Sequence, residues 1–85
     1  MINERAVARA LRNKGIDVVI ENEWDEDEDA TITVKNSNYH IQVGENYIIL
    51  CEENMAVDNY SVRHFKMWES STKFLSEIGS LLTSN

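Results

Sequence analysis

Apolar residues fall at helical spacing at the start of the chain: Ile2, Ala6, Val7, Ala10 and Leu11 form one stripe, which predicts an amphipathic helix over about residues 3–14. Its ends carry matching signals. Asn3 offers a side-chain acceptor to the orphan amides of the first turn, Lys14 complements the dipole in the last turn, and Gly15 follows where a positive φ is needed. The period then changes to two. In Ile16–Glu21 the residues Ile16, Val18 and Ile20 alternate with Asp17, Val19 and Glu21, and β-branched residues in alternation predict a strand. Ala30–Lys35, Tyr39–Val43 and Tyr47–Cys51 read as three more. They are separated by turns at Asn36–Asn38, where Asn tolerates left-handed backbone, and at Gly44–Asn46. Residues 52–59 have no period, and Tyr60–Phe65 reads as a short fifth strand or an extended connector. Phe74, Leu75, Ile78, Leu81 and Leu82 predict a closing helix, capped by Ser70 or Ser71 and interrupted by Gly79.

The order is α-β-β-β-β-α. Short connections make the strands an antiparallel meander, so the expected fold is α+β: one two-layer domain spanning 1–85, a four-stranded antiparallel sheet with a helix from each end of the chain. The fourth strand is apolar on both faces. If both helices share one face, Ile48 and Leu50, joined by Val19, would form an outer patch suited to a homodimer or a docked partner. If the helices take one face each, nothing is left bare.

With 85 residues the chain has room for one modest core. With neither disulfide nor metal in evidence, low stability or support from a partner or second copy is expected. No apolar run approaches the ~20 residues of a membrane span, no secretory signal opens the chain, and a single cysteine fits a reducing, cytoplasmic setting. The net charge of −7 is unevenly distributed. Residues 1–14 carry Arg5, Arg9, Arg12 and Lys14 against Glu4, residues 15–58 carry twelve acids against Lys35 alone, and residues 59–85 are close to balance. That pattern argues against direct nucleic-acid binding, where Lys and Arg must meet phosphates. The arginines share one helix face, which reads as a solvated stripe or one facing the acidic loop of the same molecule or of a second copy.

The concentrated feature is Glu23, Trp24, Asp25, Glu26, Asp27, Glu28 and Asp29, a charged hairpin loop. Asp25, Asp27 and Asp29 have the 1-3-5 spacing of an EF-hand loop, but Ala30 stands where the glycine belongs and Asn36 where the bidentate Glu belongs, so no metal is assigned and a divalent cation is a minor alternative. Trp24 continues the Ile16, Val18, Ile20 face as a core residue, or serves as an aromatic anchor for a partner's Arg or Lys. His40, His64 and Cys51 lack the paired spacing of a zinc site. A turn at 44–46 sets Val43 opposite Tyr47 and Tyr39 opposite Cys51, which separates His40 from Cys51 across the sheet, while His64 stays free to approach either. No catalytic or cofactor motif occurs, and a sheet this small leaves little room for a pocket of ~300 Å³ or more.

The expected function is that of a non-enzymatic protein-binding module, an inhibitor or adaptor whose acidic surface meets a basic protein partner through steering and ion pairing, without cofactor or membrane. The alternative is an assembly role as a small homo-oligomer or accessory subunit using the outer sheet face.

Overall fold

The computed structural model describes the backbone of residues 1–56 and 59–83, and the side chains of these apart from 54–56, 59–61, 63–65 and 83. Helix α1 spans Glu4–Asn13. The Asn3 side chain accepts from the Arg5 and Ala6 amides at 2.8 and 3.2 Å. At the other end Gly15 has φ +85°, and the Gly15 and Ile16 amides donate back to the Arg12 and Leu11 carbonyls, the paired return bonds that close a helix on a left-handed residue. The buried stripe is Val7, Ala8 and Leu11. It is rotated from the one expected, since Ala6 is exposed and Ala8 takes its place.

Five strands follow: β1 (Val18–Asn22), β2 (Ala30–Val34), β3 (Tyr39–Val43), β4 (Ile48–Ala56) and β5 (Asn59–Trp68). They form one antiparallel sheet in chain order. Helix α2 (Ser71–Thr83) closes the chain, with Ser70 capping its first turn through its Oγ, which accepts from the Lys73 amide at 3.4 Å. The architecture is the expected meander between two helices, with a complete fifth strand. That strand runs ten residues rather than six, and β4 continues through the stretch expected to be irregular, because the two pair from Ile48–Trp68 to Ala56–Asn59.

Both helices cover one face. Val7, Ala8 and Leu11 from α1 and Phe74 and Ile78 from α2 pack with Val18, Ile32, Val34, Ile41, Val43, Ile48, Leu50 and Trp68 in one core. The expectation of an outer patch at Ile48 and Leu50 is therefore overturned: both are fully buried beneath the helices. Val19 and Ile49 lie on the opposite, helix-free face. The cause is register. Val43 pairs with Ile48, not Tyr47, and a slip of one residue exchanges the two faces of a strand. Tyr47 is held out of the strand by the loop. Its carbonyl accepts from the Gly44 amide at 2.9 Å, and its ring lies where a Cβ on residue 44 would sit, within 2.3–2.7 Å of that position. Gly79 marks no close packing, since an added Cβ there meets nothing within 4 Å.

The helices run parallel. Their N-terminal ends border one groove of about 520 Å³, lined by Ile2, Asn3, Val7, Ser70 and Leu75. Gly15 at the end of α1 and Leu82 near the end of α2 border another of about 590 Å³. Space above the expected pocket limit thus exists, as open grooves at the ends of the helix layer. Neither is lined by His or Cys.

Candidate functional site

The acidic loop joins β1 to β2, and its residues divide into a root and a tip. At the root, the Arg5 guanidinium of α1 pairs with Glu23, with Nε donating to Oε1 at 2.8 Å. This bond and the carboxylate's charge make Arg5 hold its proton above the ordinary guanidinium range. The Trp24 amide donates to Glu4 Oε2 at 3.0 Å, and the half-buried Trp24 side chain packs against the core. On the far side, Asp29 Oδ2 accepts from the Tyr47 hydroxyl at 2.5 Å. That bond, with burial second, pushes the phenol above its ordinary value of 10.0. Asn22 Nδ2 donates to the Asp29 carbonyl at 2.8 Å. The root is therefore fastened from α1, from the β3–β4 loop and from β1.

The tip is a tight turn. The Asp25 amide donates to the Glu28 carbonyl at 3.0 Å, and Asp25 Oδ1 accepts from the Asp27 amide at 2.7 Å, an Asx turn that fixes the backbone locally. Asp25, Glu26, Asp27 and Glu28 are exposed, and no ion pair joins them to another described residue. Of the other α1 arginines, Arg12 turns instead to the strand below and donates to the Val18 carbonyl at 3.0 Å. The 1-3-5 carboxylates do not converge as a cation loop would require, because Asp29 is turned to Tyr47. Among the described residues no group of three His, Cys, Asp or Glu side chains gathers to hold a metal.

A second constellation lies on the helix-free face. His40 stands directly opposite Cys51, and directly opposed residues share a face, so the expected separation of the two is overturned by the same one-residue register shift. His40 Nδ1 is 3.3 Å from Glu53 Oε1 but makes no hydrogen bond of good geometry. Cys51 is fully buried, and burial, followed by the Glu53 charge, pushes its thiol up. That is the opposite of what a nucleophile needs. The expectation about His64 concerns a side chain outside the described residues. Around Cys51 this face bears Thr31, Thr33, Gln42 and Ile49, with Met67 57% exposed.

Two residues with structural roles, Tyr47 and Trp68, carry little signal in the sequence. Tyr47 has the pattern of a strand residue, and its place after Gly-Glu-Asn is the local hint of its loop position. Trp68 joins β5 to α2. Its ring meets Phe74 edge-on at 5.0 Å, and its Nε1 donates to Glu77 Oε2 at 3.1 Å.

No known protein family, curated protein or solved structure matches this chain.

Proposed function

We propose that the chain is a non-enzymatic binding module that engages a basic protein partner through Asp25, Glu26, Asp27 and Glu28. The observation that carries this reading is the division of the loop. Four adjacent carboxylates stand exposed, with no ion pair to another of the described residues, on a turn closed by hydrogen bonds of its own, while Glu23, Trp24 and Asp29 serve the fold. A fixed backbone lowers the ordering cost of docking, and a dense unpaired charge speeds encounter with a cationic surface. The expected docking set thus contracts from seven residues to the four at the tip. The test is retention of a basic protein by the immobilised chain at low and moderate salt, compared with a variant carrying Asp25→Asn, Glu26→Gln, Asp27→Asn and Glu28→Gln. Exposed ion pairs contribute about 0.2–1 kcal/mol each, so the variant should bind at least about fourfold more weakly and lose most of its salt dependence. Equal binding by the two proteins rejects the proposal.

A second reading, self-association, rests on the helix-free sheet face. Its apolar residues include Val19, Ile49, Val62 and Met67 rather than Ile48 and Leu50, and the exposure of Val62 and Met67 favours it. Light scattering across micromolar concentrations tests it: a mass of two chains that Met67→Glu reduces to one supports it, and a monomer throughout removes it.

A further inference from the structure

We draw no further inference here: the strongest candidate, the His40–Cys51–Glu53 cluster on the helix-free face of the sheet, rests on a single fully buried cysteine, with His40 already facing the Glu53 carboxylate and no set of three metal-ligating side chains gathered among the described residues.

Discussion

Glu77 and the carboxylates of the β1–β2 tip meet opposite circumstances. Glu77 projects from α2 toward β5, where Lys66 and Trp68, two residues apart, point to the same side of the strand. Lys66 Nζ donates to it at 2.5 Å and the Trp68 indole at 3.1 Å, and these two bonds hold its carboxyl below the ordinary value of 4.5. Lys66 also lies 5.4 Å from the centre of the Trp68 ring. At the tip, by contrast, the turn extends beyond the reach of Arg5, which stops at Glu23, and among the described residues no ion pair joins the four carboxylates to another element. The difference teaches that in this acidic chain a carboxylate belongs to the fold where a neighbouring element brings donors to it. Elsewhere it is available to another molecule.

Three variants probe that division. Phe74→Ala removes a fully buried ring that packs on Trp68, the residue that donates to Glu77. A loss of about 3–5 kcal/mol is expected, read from the urea midpoint at constant slope. A loss below about 1 kcal/mol would mean that α2 contributes little to the core. Tyr47→Phe deletes the hydroxyl that fastens Asp29 and should cost about 1 kcal/mol; an unchanged midpoint would make the root as loose as the tip. The smallest effect belongs to the tip itself. Neutralising Asp25 and Asp27 together should leave stability within about 0.5 kcal/mol of the parent, with any change upward as like charges are removed. A marked loss would reveal a structural duty there and erase the contrast.

Much of this fold can be read from the chain because local signals and tertiary packing agree. Asn3, Lys14 and Gly15 delimit α1 within a residue of its observed ends, and alternation locates β2 and β3. The reading fails where a tertiary contact decides the matter. Tyr47 has strand-forming character, yet its ring over Gly44 and its hydroxyl on Asp29 draw it into the loop, so the β3–β4 pairing moves by one residue and the faces of β4 exchange. Glu52, Glu53 and Asn54 have poor strand propensity. They extend β4 because β5 pairs with them across the hairpin, a cause that their own propensities do not carry. The acidic loop was legible as a charged hairpin connection. Its partition into root and tip was not, since that depends on which side chains of α1 and the β3–β4 loop come within reach.

The parallel course of the two helices bears on how the protein is best tethered. Met1 and Ile2 lie beside Glu4 and Trp24, next to the acidic hairpin, whereas Leu82 near the end of α2 sits by Gly15 and Tyr39, across the helix layer. A label or bead attached at the amino end would crowd the charged hairpin. Anchoring through the carboxyl end leaves that hairpin facing the bulk solution.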